Sequence, residues 1–131
     1  MSAELDAKWA ELVAVGRVTW VEGMLRIAPD PARANPWNGG PRRERYEEDA
    51  PYIEGWSDGP WYPVWDDPAT LGCLLALARE AWDDPQVHAA PLCGMKNNHV
   101  GWRIWLGRDL TLYFDGDTEA QALIAALEAA P

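Results

Sequence analysis

The stretch from Asp66 to Trp82 constrains this chain more than any other. Leu71, Leu74, Leu75 and Ala78 recur at helical spacing, and Trp82 extends the same stripe. Asp67 stands where a helix N-cap accepts from the open N–H groups of the first turn. Pro68 follows at the first helical position, where a missing N–H costs nothing. Asp83-Asp84-Pro85 ends the run. Cys73 and Leu77 widen the apolar face beyond what a lone surface helix uses. The sequence therefore predicts a central helix covered on more than one side, with the rest of the chain supplying the cover.

That cover comes from 131 residues, the size of one domain, with a hydrophobic fraction of 48% that suits a folded core. The formal net charge is −10, from 21 acidic and 11 basic residues. Phosphate binding runs on clustered Lys and Arg and on released counterions, so this balance argues against nucleic acid or an anionic membrane as the partner. It suits a basic protein partner, and it is equally what solubility alone requires. No apolar run approaches the length of a membrane span, and the acidic Met1–Asp6 stretch lacks the apolar centre of a secretory signal. Two cysteines, Cys73 and Cys93, are too few for a disulfide framework. The expectation is a cytoplasmic, single α+β domain over residues 1–131.

Nine tryptophans against one phenylalanine are the unusual feature of the composition. Indole offers a large contact area, one donor and little rotamer freedom to lose. A small interior has limited room for nine of them, so some are expected to line a surface or groove.

Along the chain, Ala3 to Val15 reads as a helix with Leu5, Trp9, Leu12 and Val13 on one face, Ser2 as its cap and Gly16 as its left-handed end. Arg17–Val21 switches to a β pattern, and after the Glu22-Gly23 turn Met24–Ile27 continues it, as a bent strand or a hairpin. From Asp30 to Pro60 six prolines at or within its borders dissolve any pattern, which predicts a long irregular loop. Tyr52–Trp56 is a candidate short strand inside it. Trp61–Trp65 is a short aromatic strand with Pro63 favouring a sheet edge. Val87–Leu92 is another short strand, followed by a loop over Cys93–Asn98. His99 to Phe114 carries the strongest β signal: Trp102, Ile104 and Leu106 face one way, Arg103 and Trp105 the other. Gly107-Arg108-Asp109 is read as its hairpin loop, with Leu110, Leu112 and Phe114 inward and Thr111 and Tyr113 outward on the return strand. Thr118-Glu119-Ala120-Gln121 matches a capping box, opening a last helix with Ala120, Leu123, Ile124 and Leu127 on its apolar stripe. The whole predicts an antiparallel sheet with about three helices packed on one face.

Chemistry-bearing motifs are sparse. Asp115-Gly116-Asp117 offers two carboxylates on a turn, but the further ligands of a calcium loop are absent, and an acidic helix entrance explains them. Asp83-Asp84 sits at a helix C-terminus, where acids are unfavourable, a weak hint of another use. His88, Cys93 and His99 lack the paired spacings and fourth ligand of a zinc site, and nothing shows a base positioned for a nucleophilic Cys93. No phosphate loop, nucleophile elbow or zinc-protease motif occurs. The expectation is a protein that is not an enzyme and has neither metal nor cofactor.

The constellation that remains is aromatic and basic. Arg103 and Trp105 share the strand face turned away from the inferred core, and Tyr113 and Thr111 belong beside them on the next strand. Such a face can stack a flat, nucleotide-like ligand, serve as a protein interface, or lie under the long loop or a second copy of the chain. Together with loop and edge aromatics the candidate binding residues are Trp37, Tyr46, Trp56, Trp61, Arg103, Trp105 and Tyr113.

Asp67–Trp82 and Thr118–Pro131 resemble segments of small proteins encoded by tailed phages and prophages, and Ala10–Trp20 is similar in character. Those segments have no assigned catalytic residues. The resemblance implies a phage setting and, by analogy, an inhibitor of host defence of the anti-CRISPR kind. The expected partner is then a host protein, a basic one that handles nucleic acid, with no direct nucleic-acid or membrane contact. A nucleotide-like sponge and a self-associating accessory protein, a homodimer, stand as the alternatives.

Overall fold

A computed structural model describes residues 3–28, 42–47, 61–94, 99–107 and 112–131. Among them are three helices, α1 (Ala3–Ala14), α2 (Pro68–Ala81) and α3 (Glu119–Ala129). Six strands join them: β1 (Leu25–Ala28), β2 (Arg42–Arg45), β3 (Tyr62–Pro63), β4 (His88–Cys93), β5 (His99–Trp105) and β6 (Tyr113–Gly116). The class is α+β, as the sequence predicts. Instead of one sheet, the described strands form two antiparallel three-stranded sheets, in the orders β2-β1-β3 and β4-β5-β6. No helix among the described residues is long and apolar enough to cross a membrane.

The helix termini form as their residues dictate. Asp67 caps α2, accepting from the Thr70 N–H at 3.0 Å, with Pro68 opening the helix. Thr118 and Gln121 complete the capping box of α3. Gly16, at φ +76°, closes α1, with the Arg17 N–H donating to the Leu12 carbonyl at 2.9 Å. The Asp83-Asp84 pair closes α2 in the same way. Asp83 takes the left-handed position at φ 49°, and the Asp84 N–H reaches back to the Arg79 carbonyl at 2.9 Å. The Asp84 carboxylate is buried and accepts from the Gln86 N–H at 3.0 Å, so this pair shapes the turn.

Three expectations about local structure are corrected. Arg17–Val21 is not a strand: Val18 is buried and Trp20 and Val21 pack on the core, but the backbone turns at Val21, where the Met24 N–H donates to the Val21 carbonyl. Hydrophobic side chains there serve the core without a ladder. Within Asp30–Pro60, Arg42–Arg45 is a strand despite its run of charge. It pairs along the whole of β1, and Glu44 there meets Arg26 in an ion pair. Tertiary pairing overrides propensity in that segment. Ser2, Tyr52–Trp56, Arg108, Asp109, Leu110 and Thr111 lie outside the described residues. Val13 and Leu112, expected inward, are exposed.

The centre of the core is α3. Ala120, Ala122, Leu123, Ile124, Ala126 and Leu127 are all buried, whereas on α2 Leu71, Cys73 and Leu75 stay partly open. Alanines on several sides of α3 let α2, α1 and the inner face of the second sheet all approach it. Trp82 at the end of α2 donates its indole N–H to the Ala126 carbonyl at 2.8 Å and packs on Phe114. Gly116 on β6 completes the approach: a Cβ there would sit 2.6 Å from the Ala122 nitrogen. Arg17 donates to the Glu128 and Ala130 carbonyls at 2.9 and 2.7 Å, covering acceptors at the helix end.

The first sheet is joined to α2 by a small polar network. The buried Thr70 hydroxyl accepts from the Leu25 N–H at 2.8 Å and donates to Asp67 at 2.9 Å, while Arg45 donates to Asp67 at 2.7 Å. Burial pushes the Asp67 carboxyl upward, but the hydrogen bonds from Arg45 and Thr70 outweigh it and hold the group below the ordinary carboxylate value.

Two predictions follow from this packing. Gly116→Ala should destabilise the protein by about 1–3 kcal/mol, because backbone of α3 cannot yield to a methyl as a flexible side chain can; chemical denaturation measures it. Asp67→Asn should flatten the acid limb of the stability curve. With a folded pKa below the unfolded one, the Asp67 contribution is complete above about pH 4 and disappears as pH falls through the folded value. Denaturation midpoints between neutral and acid pH read the difference from the native protein.

Candidate functional site

Two arginines on the two sheets gather aromatic rings; the arginines are similarly half-buried, at 17% and 23% exposed, but the rings differ, Trp61 being buried and Tyr113 exposed. On the first sheet, the Arg26 guanidinium lies 4.4 Å from the Trp61 ring centroid, 5.4 Å from Tyr46 and 5.8 Å from Trp20. Its Nε donates to Glu44 at 3.0 Å. Its side chain is 17% exposed, and Trp61 is buried. Trp20 in turn meets the buried Trp9 edge-on at 5.2 Å. This cluster ties β1, β2 and the segment before β3 together through cation–π and ion-pair contacts.

On the second sheet the cluster faces outward. Strand pairing sets Trp105 opposite Tyr113 and Arg103 opposite Asp115, so all four share one face, as the alternation of β5 requires. Arg103 donates Nε to one Asp115 oxygen at 2.6 Å and a terminal nitrogen to the other at 2.9 Å. That fork–fork bond holds the guanidinium 3.8 Å from the Tyr113 ring centroid and 5.0 Å from that of Trp105. The Trp105 and Tyr113 rings are themselves 5.3 Å apart. On β4, His88 stands opposite Trp105 and Ala90 opposite Arg103. Tyr113 is 43% exposed, and α3 occupies the other face of the sheet, against Ile104, Trp102 and Phe114. The hydrogen bond to Arg103 holds the Asp115 carboxyl below the ordinary carboxylate value.

The predicted site residues therefore separate. Tyr46 and Trp61 belong to the inner cluster, Arg103, Trp105 and Tyr113 to the outer one, and Trp37 and Trp56 lie outside the described residues. The surplus of indole narrows accordingly. Of the seven tryptophans described, Trp9 is in the core, Trp20, Trp65, Trp82 and Trp102 pack against it, and Trp61 is buried. Trp105 stands on the outward face. Asp115, which fixes Arg103, is the residue that pattern reading missed. The signal was present, since pairing Trp105 with Tyr113 across the hairpin necessarily pairs 103 with 115.

Cys93 and His99 are register partners at one end of the second sheet, and His88 is at the other end of β4. Among the described residues no group of three or more His, Cys, Asp or Glu gathers as metal ligands would. No family model matches the sequence, and no curated protein or solved structure shows significant similarity to it.

Since the Arg103–Asp115 pair is open to solvent, Arg103→Ala should shift the melting temperature by only a few degrees, and less at high salt. Differential scanning calorimetry at low and high ionic strength checks this. A collapse of the fold would mean that the outer cluster is a structural support.

Proposed function

We propose that this chain works by binding a protein through the outer face of the second sheet. The observation that carries the reading is the fixed set Arg103, Trp105 and Tyr113 on a sheet face opposite the core. Tryptophan, tyrosine and arginine are the residue types that dominate binding energy at protein interfaces, and those held rigid before contact lose the least entropy. The Asp115 fork supplies that rigidity. It also takes one bidentate edge of the guanidinium and balances its charge, which favours a protein over a nucleotide-like ligand at this face.

The net charge of −10 supports a basic partner, steered electrostatically before the aromatic anchors engage. The phage resemblance of α2 and α3 supports a host protein that handles nucleic acid, with inhibition of a defence system as the consequence. Affinity capture from host lysate, with the native chain beside an Arg103→Ala, Trp105→Ala, Tyr113→Ala triple variant, tests the reading. A protein retained by the native chain, eluted by salt and lost with the triple variant is the expected result. Capture that survives all three substitutions refutes this face as the site. Light scattering on the native chain tests the homodimer alternative, which a monomer at high concentration removes.

A further inference from the structure

A second feature lies away from that face. Between the first sheet and the start of α3 opens a cleft of about 650 Å³. Small-molecule sites span about 300–1,000 Å³ and combine apolar walls with a few polar groups. Here the walls include Trp65 and Trp102, and the charged groups are Arg43, Asp66 and Glu119. Trp65 is held by its indole N–H, which donates to Asp6 of α1 at 2.8 Å, and by edge contact with the buried Trp9. Trp102 projects from the inner face of β5, paired with Gly116 immediately before α3.

The charges lining the cleft decide what it can take. Among the described residues, none of Arg43, Asp66 and Glu119 makes a hydrogen bond or ion pair with another. Carboxylates outnumber guanidinium groups two to one. Glu119 is partly buried, and the loss of water raises its pKa, a cost that a cation beside it would relieve. The electron-rich faces of two indoles attract cations as well. An anion is less well served: the capping box already binds the Thr118 and Gln121 N–H groups at the start of α3, and one guanidinium, Arg43, stands against two carboxylates in the lining. We propose that this cleft binds a small organic ammonium, its nitrogen taken by the carboxylates of Asp66 and Glu119 and its apolar body by Trp65 and Trp102. The site is separate from the outer face of the second sheet and opposite in charge preference to a nucleotide site.

Titration calorimetry with phenethylamine tests it, with 3-phenylpropionate and 2-phenylethanol as anionic and neutral controls of similar size. Phenethylamine should bind saturably with a dissociation constant near or below about 1 mM, and both controls at least about tenfold more weakly. Glu119→Gln and Asp66→Asn should each weaken phenethylamine about tenfold, corresponding to the loss of a charge-assisted contact. Asp66 is exposed, so its variant keeps the test sound should Glu119→Gln disturb the helix start. The Arg103, Trp105 and Tyr113 triple variant should bind phenethylamine as the native chain does, which separates this site from the protein-binding face. Absence of saturation by about 10 mM, equal binding of the alcohol, or indifference to both carboxylate substitutions would overturn the proposal.

Discussion

Small side chains along α3 allow three surfaces to reach its backbone at once, and the remaining architecture is arranged around that approach. Ala120, Ala122 and Ala126 are buried together with Leu123, Ile124 and Leu127. The alanines bring neighbours near, and the branched residues fill the space between them. On the strand side the same demand falls on Gly116, whose missing side chain admits the Ala122 backbone. Each buried Leu or Ile contributes about 1.5–3 kcal/mol, whereas a cap or surface ion pair contributes about 1 kcal/mol or less. Packing on α3 therefore outweighs the terminal and surface interactions, which decide where elements start and how they are oriented.

The parts of the fold legible in the sequence are those whose signal is local. A cap and a stripe sit within a few residues of each other, so α2, α3 and their first turns follow from Asp67-Pro68 and Thr118–Gln121. Alternation along His99–Trp105 likewise places Ile104 inward and Arg103 and Trp105 outward. What stayed hidden depends on distant partners. Nothing within Arg42–Arg45 marks a strand, because its pairing with β1 and the Arg26–Glu44 contact join residues far apart in sequence. The relative depth of α2 and α3 was hidden for a related reason. Leucine content measures the apolar area a helix offers, while its final burial depends on how many neighbours its small residues admit. The outer half of the site was readable by strand alternation. The cleft was not, since its walls come from β1, β2, β3, β5 and the starts of all three helices.

The two arginine clusters show one set of residue types performing different work according to depth. Arg26 is enclosed by Trp20, Tyr46 and Trp61 and neutralised by Glu44, so its charge is balanced where water is scarce. Unpaired, a charge at that depth would cost several kcal/mol, on the order of the whole contribution of a large core residue. Arg103 meets the same types, two aromatic rings and a carboxylate, but its partners Tyr113 and Asp115 are exposed, so pairing there adds little stability. What its fork with Asp115 supplies is orientation. A side chain with many rotamers is reduced to one, and its flat guanidinium is laid against Tyr113. That distinction is why the outer cluster fits recognition and the inner one fits construction.

Both sites depend on β5. Its two-residue period sends Trp102 toward the cleft and Arg103 and Trp105 toward the opposite face, so adjacent residues line separate surfaces. A slip of one residue in the pairing with β6 would exchange the faces, burying a guanidinium against α3 and exposing Ile104. Gly116 opposes the equivalent turn of β6, which would bring its neighbours, the aspartates at 115 and 117, into the narrow space beside Ala122. The same glycine that lets the helix approach the sheet thus holds the strand in the register that separates the cleft from the outer aromatic face. Core packing and site geometry are in this chain a single constraint, imposed at the junction of β5, β6 and the first turn of α3.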